Sequence, residues 1–185
     1  MKFHCHHKQQ GVALVISLII LVSLTMLGLT SIQRTTVDLA MAGNQRETGL
    51  MFQAAEVGLI SAEVSINASP SNSDFDDASQ GLYTVLADDP GYSSPDYFDD
   101  GLWDSSSTDA NTDMKTDFGI EDEPRFMIEY LGDRDQNALA KINIGSYGSQ
   151  QPGDIVSIYR STARGVGMTG NSFRYVQSYF GKKIN

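Results

Sequence analysis

Twenty-one consecutive residues, Val12–Ile32 (VALVISLIILVSLTMLGLTSI), carry no charge. At about 1.5 Å of rise per residue, a helix of that length runs about 30 Å, enough to cross the hydrocarbon core of a bilayer. A domain of this size cannot bury such a helix, so the run belongs in a membrane or in a core shared by several chains. A hydrophilic leader, MKFHCHHKQQG, precedes it and carries Lys2 and Lys8. An ordinary secretory signal places its small cleavage residue after the apolar region, which is then discarded. Here the small residue is Gly11, before the run, so a cut there leaves the hydrophobic helix on the mature protein.

The rest of the 185 residues provides a soluble domain of about 115–120 residues, a size that holds its own core. Without Lys2 and Lys8 the balance is 11 basic to 23 acidic residues. That excess argues against nucleic acid and anionic lipid as general partners. The one cysteine, Cys5, lies in the leader, so the cut chain has no disulfide. Lys2 and Lys8 favour a cytoplasmic N-terminus, and the soluble part is expected in the periplasm.

No proline occurs from Met1 until Pro70. Beyond the apolar run, Phe52, Ala55, Leu59, Ala62 and Ile66 recur at steps of three and four, which predicts a long helix over 12–66 with Gln53, Glu56 and Glu63 off its buried stripe. Gly43, Gly49 and Gly58 weaken that helix, and Gly43-Asn44 is a candidate break. Residues 67–123 hold 15 acidic residues and one base, Lys115, in a Ser-, Asp-, Asn-, Gly- and Pro-rich segment that reads as long loops. Tyr83, Tyr92, Tyr97, Phe98 and Trp103 are its expected packing anchors. Strand alternation returns at Arg125–Leu131, Lys141–Ile144, Ile155–Ala163 and Phe173–Phe180, separated by Gly-rich turns. The fold class is therefore α+β: a long N-terminal helix packed on a small antiparallel sheet of about four strands.

Residues 9–28 (QQGVALVISLIILVSLTMLG) look like a prepilin-type signal, and residues 41–59 (MAGNQRETGLMFQAAEVGL) carry an AGN-R and F-QAAE-GL pattern. With PRFMIEYLG (124–132), YRSTARGVG (159–167) and QSYFGKK (177–183), the chain resembles the PilX group of type IV pilus minor pilins. The resemblance implies a pilin-like fold and cleavage after Gly11 by a prepilin peptidase that methylates Val12. It implies as partners the major pilin, other minor pilins, the inner-membrane assembly platform and a tip adhesin. The chain would sit in the inner membrane before assembly and in the extracellular pilus afterwards, serving adhesion, motility or aggregation. Most major pilins carry a glutamate at the fifth mature position. Here that position is Ile16, which removes one attraction to the subunit ahead and suits a filament tip. The competing readings are a minor pseudopilin of type II secretion and a membrane-anchored periplasmic calcium-binding or sensing protein.

Other candidate sites are plainer. His4, Cys5, His6 and His7 are adjacent, wrap one tetrahedral ion poorly, and leave with the leader. Asp133, Asp135 and Asn137 have the opening spacing of a calcium loop, but Ala138 and Ile144 replace its turn glycine and bidentate glutamate, so an acidic hairpin turn is the simpler account. No cofactor is implied. Calcium is the single candidate, and Asp88, Asp89, Asp96, Asp99 and Asp100 would supply hard oxygen ligands if they were more than a solvated loop. Arg160, Arg164, Arg174, Lys182 and Lys183 give the last third a positive balance, which reads as pairing with the acidic loops rather than as a nucleic-acid surface. With every histidine and the cysteine in the leader, no Ser-His or Cys-His system remains, and an enzyme is not expected.

Overall fold

The computed structural model describes residues 10–85, 93–135 and 155–183. The chain divides into two compact units, Met1–Arg46 and Glu47–Asn185. The described part of the first is helix alone. The helix α1 is assigned over Gln10–Ala68, without the break expected at Gly43-Asn44.

The second unit, the head, is a mixed sheet covered on both faces. Its strands are β1 (Leu82–Thr84), β2 (Thr108–Asp109), β3 (Arg125–Asp135), β4 (Ile155–Val166) and β5 (Phe173–Lys183). The order is β1-β3-β4-β5, with β2 also pairing to β3. The long strands β3, β4 and β5 are antiparallel, aligning Phe126 with Ala163 and Ala163 with Val176. β1 runs parallel to β3, Leu82 opposite Ile128, so the sheet is mixed rather than wholly antiparallel. Three predicted strands extend further than their alternation suggested, β3 to Asp135, β4 to Val166 and β5 to Lys183. Asp133 and Asp135 therefore lie in strand, opposite Ser157 and Ile155, and not in a hairpin turn. The predicted strand Lys141–Ile144 and residues Asn137 and Ala138 lie outside the described residues.

One face of the sheet packs on α1. Leu59, Ala62 and Ile66 of the helix form a cluster with Phe75, Phe126, Ile128, Tyr159 and Ala163. The buried stripe is Met51, Ala54, Ala55, Leu59, Ala62 and Ile66, whereas Phe52 is 46% exposed. Ala55, Leu59, Ala62 and Ile66 are buried as expected, and Phe52 alone gives way to Met51 and Ala54, where the helix comes close to β4. A Cβ built on Gly165 falls within 2.7 Å of the Ala55 amide nitrogen and collides with the Met51 carbonyl oxygen. One built on Gly58 meets Ala163 Cβ at 3.0 Å. Small side chains on both elements permit that approach; a phenyl ring at the contact does not fit it.

The opposite face is covered by the acidic segment. There the short helix α2 (Asp100–Ser105) buries Trp103 completely, whereas α3 (Met114–Phe118) buries Met114 against α1, in a cluster with Ala54 and Ile120. Tyr97 is half-buried in this layer, but Phe98 is 84% exposed and touches Tyr175 edge-on at 5.9 Å. Tyr92 lies outside the described residues.

The helix–strand seam predicts opposite outcomes for two glycines. In the full-length chain in detergent, Gly165→Ala lowers the thermal unfolding midpoint, costing about 1–3 kcal/mol as overpacking does. Gly49→Ala, with no atom within 4 Å of the added methyl, raises the midpoint through helix propensity.

Candidate assembly surface and the head that supports it

Within the first unit, Val12–Ile32 presents an apolar surface on every side. From Val12 to Ile32 the large hydrophobic residues are 47–68% exposed. Its hydroxyls do not disturb that surface: Ser17, Ser23, Thr25 and Thr30 donate to the carbonyls of Leu14, Ile19, Leu21 and Met26 at 2.9, 2.8, 2.5 and 2.9 Å. These four of the five hydroxyl side chains in the run are thereby satisfied within their own helix, the condition for residence in hydrocarbon. Ile16 is half exposed on this helix, and the first charged residues after Gly11 are Arg34 and Asp38. Gly11 begins the exposed stretch with open space around it, and Val12 follows at 60% exposure. Residues 1–9 of the leader, with its histidines and cysteine, lie outside the described residues.

In the head, the segments that carry the resemblance meet one another. Gln53–Leu59 supplies Ala54, Ala55 and Gly58, the surface onto which Ala163 and Gly165 of the 159–167 segment close. One turn earlier on α1, Glu47 Oε1 accepts from Ser172 Oγ at 2.9 Å and from Thr169 Oγ1 at 3.2 Å. Gly167 lies against the same carboxylate, where a Cβ would stand 2.5 Å from Oε1. At the end of α1, Lys182 Nζ donates to the carbonyls of Ile66, Asn67 and Ser69 at 2.8, 3.3 and 2.5 Å. A cation on the last free carbonyls of a helix satisfies orphan acceptors and complements the helix dipole. Beside it, Asn72 accepts from Tyr159 at 2.6 Å and donates to Ser157 Oγ at 3.0 Å. Asp133 Oδ1 accepts from Tyr130 at 2.8 Å and Ser157 at 2.6 Å. Burial and that bond to Asp133 push the Tyr130 hydroxyl up to about 12.

The other face holds a buried ion pair that no sequence period announces. Glu129 is fully buried on β3, and Arg160 of β4 grips it with Nε to Oε2 and Nη2 to Oε1, both 2.5 Å. The Tyr97 hydroxyl donates to the same carboxylate, and Arg160 Nη2 also reaches Ser94 Oγ at 2.6 Å. The bond to Glu129 raises the Arg160 pKa above its ordinary value; burial, then Glu129, raises that of Tyr97. Arg164 is buried over the rings of Trp103 (5.2 Å) and Phe173 (5.5 Å), with Asp100 and Asp104 each 3.7 Å away. Arg125 Nη1 donates to the Trp103 carbonyl at 2.9 Å. Three arginines of the sheet thus hold the acidic layer in place. The basic residues of the last third do not form one patch: Arg160 and Arg164 face this layer, while Lys182 caps α1.

The carboxylates suggested for calcium are dispersed. Asp96 Oδ1 accepts from the Phe98 amide at 3.0 Å, Asp99 caps α2 through Gly101, and Asp100 pairs with Arg164. Asp133 serves the tyrosine–serine network, and Asp135 ends β3. Asp88 and Asp89 lie outside the described residues. Among the described residues no group of three or more His, Cys, Asp or Glu side chains is placed to hold a metal ion.

Sequence reasoning missed Glu129, Tyr97's role, Glu47 and Asn72. The available signal was Glu129 itself, an acid inside the apolar alternation of 125–131. Residues 10–59 match the family model described as PilX N-terminal, and residues 60–182 match the one described as Type IV pilus assembly protein PilX C-term. No curated protein and no solved structure matches the chain.

Two measurements check the head's electrostatics. Glu129→Ala strands the half-buried Arg160 guanidinium and lowers stability by about 3–5 kcal/mol, as loss of one buried partner does. Glu123 gives a pH signature. Partial burial opposes its ionisation, but the Lys115 amide, Thr112 hydroxyl and Met114 amide outweigh that and hold its pKa below 4.5. A carboxyl depressed by folding stabilises fully above its unfolded value, and that contribution disappears as pH falls through the folded value. Glu123→Gln therefore flattens the acid limb of the stability curve while leaving its shape near neutral pH unchanged.

Proposed function

This chain belongs to the PilX family of type IV pilus assembly proteins, and from that premise we propose that it is a minor pilin acting at or near the fibre tip. The observation that carries the reading is the charge-free, exposed surface of Val12–Ile32, with Ser17, Ser23, Thr25 and Thr30 satisfied internally. Such a helix is stable in lipid before assembly and, after extraction, in a core of like helices.

A prepilin peptidase cuts after Gly11 and methylates Val12, with the N-terminus cytoplasmic and the head periplasmic. Subunits then add head to tail along a helical fibre, a heterologous arrangement that does not close. At the tip no subunit lies ahead, so an acid at position 16 has no amine to pair with. Ile16 avoids burying such a charge. The partners are the major pilin, other minor pilins, the assembly platform and a tip adhesin, and the chain primes fibre biogenesis on which adhesion, motility or aggregation depends.

Intact-mass and N-terminal analysis from native membranes tests the processing: loss of Met1–Gly11 with methylated Val12, only when the peptidase is present, is the expected result. An uncut chain in both strains removes the pilin reading. For position, Ile16→Glu shifts immunogold labelling from fibre ends to positions along the fibre, and unchanged end labelling counts against the tip.

A further inference from the structure

The stretch 94–107, which lies over the sheet and leads into β2, is fastened differently at its two ends. At the first end the grip is tight. The Tyr97 hydroxyl donates to the fully buried Glu129, and Arg160, which holds both oxygens of that carboxylate at 2.5 Å, also donates to Ser94 Oγ at 2.6 Å. At α2 the fit is looser. Asp100 and Asp104 each stand 3.7 Å from Arg164, too far for a hydrogen bond, and their side chains are 66% and 76% exposed. Arg164 itself is buried, yet its Nε has no hydrogen-bond partner among the described residues. Arg125 adds bonds to the carbonyls of Trp103 and Asp104 at 2.9 and 3.4 Å.

The burial that accompanies these contacts is small in extent. Trp103 packs on the rings of Tyr97 and Tyr175, 6.5 and 5.5 Å away, and on the Arg164 guanidinium. Among the described residues it belongs to neither apolar cluster of the head, whereas Met114 of α3 joins Ala54 and Ile120. A six-residue helix is too short to persist by itself, so α2 stays folded only while it is held against the sheet.

We propose that α2 is an ionic latch, which opens by local unfolding while the helix–sheet core stays intact and which uncovers Trp103 and Arg164 when it opens. Salt is the lever. In 1 M salt the screening length is about 3 Å, shorter than the 3.7 Å from Arg164 to either exposed carboxylate. Glu129 is closed to solvent ions, so its pairing with Arg160 keeps the Ser94–Tyr97 end attached. The latch is a property of the head alone and does not depend on the pilin reading.

Trp103 is the one tryptophan of the chain and reports its own exposure. In the full-length protein in detergent, raising sodium chloride from about 0.1 M to about 1 M is expected to shift its emission to the red and raise acrylamide quenching several-fold, with the far-UV helix signal unchanged. The double variant Asp100→Asn, Asp104→Asn is expected to show the red-shifted, quenchable emission already at low salt and to respond little to more. Emission that is flat with salt in the wild type, and the same in the double variant, overturns the latch. So does quenching that rises only together with loss of the helix signal, because α2 then unfolds with the core as one unit. If the double variant does not fold, the salt titration of the wild-type chain decides alone.

Discussion

Everything in the head is built around the close approach of α1 to β4. Ala54, Ala55, Gly58 and Ala62 on the helix face Ala163 and Gly165 on the strand, and at Gly165 there is no room for even a methyl group. Because dispersion falls off steeply with separation, a seam of small residues gains contacts along its whole length, which larger side chains holding the backbones apart would forfeit. The seam also fixes which side of β4 faces away. Alternation then directs Arg160 and Arg164 to the opposite face, where they gather the acidic segment. The two layers over the sheet are therefore consequences of one packing choice.

Much of this could be read in the sequence. The helix was legible because a proline-free stretch with a charge-free run and a later periodic stripe has few alternatives. The cores of β3, β4 and β5 were legible from alternation. The first position of the buried stripe was not: Phe52 satisfies the three-and-four spacing as well as Met51 does. Only the missing side chain at Gly165, more than a hundred residues away, decides between them. The parallel strand β1 was beyond reach for a related reason. Three residues, Leu-Tyr-Thr, carry no measurable period, and their pairing to β3 depends on a contact distant in sequence.

Site chemistry followed the same division. The apolar surface at Val12–Ile32 was visible because its message is compositional and local. Glu129 and Arg160 were each visible as residues, yet their pairing depends on the register of two strands joined through residues 136–154. The calcium-like spacing at Asp133 shows the converse error. A motif read without its backbone suggested a loop, whereas the backbone is strand and the carboxylate serves Tyr130 and Ser157. The segments that carry the family resemblance gain a physical meaning from the same geometry: two of them are the opposing sides of the seam.

The contact between Lys182 and the end of α1 has a bearing on mechanical behaviour. The last strand of the chain holds the last carbonyls of its first helix, so the C-terminal end of α1 and the end of the sheet are tied at one place. The same strand is joined to β4 along its length. A pull transmitted through α1 therefore enters the sheet at that tie and along the seam, loading many bonds in shear rather than peeling them one at a time. Tension along the helix is shared across the head, and no single hydrogen bond sets the force at which it opens.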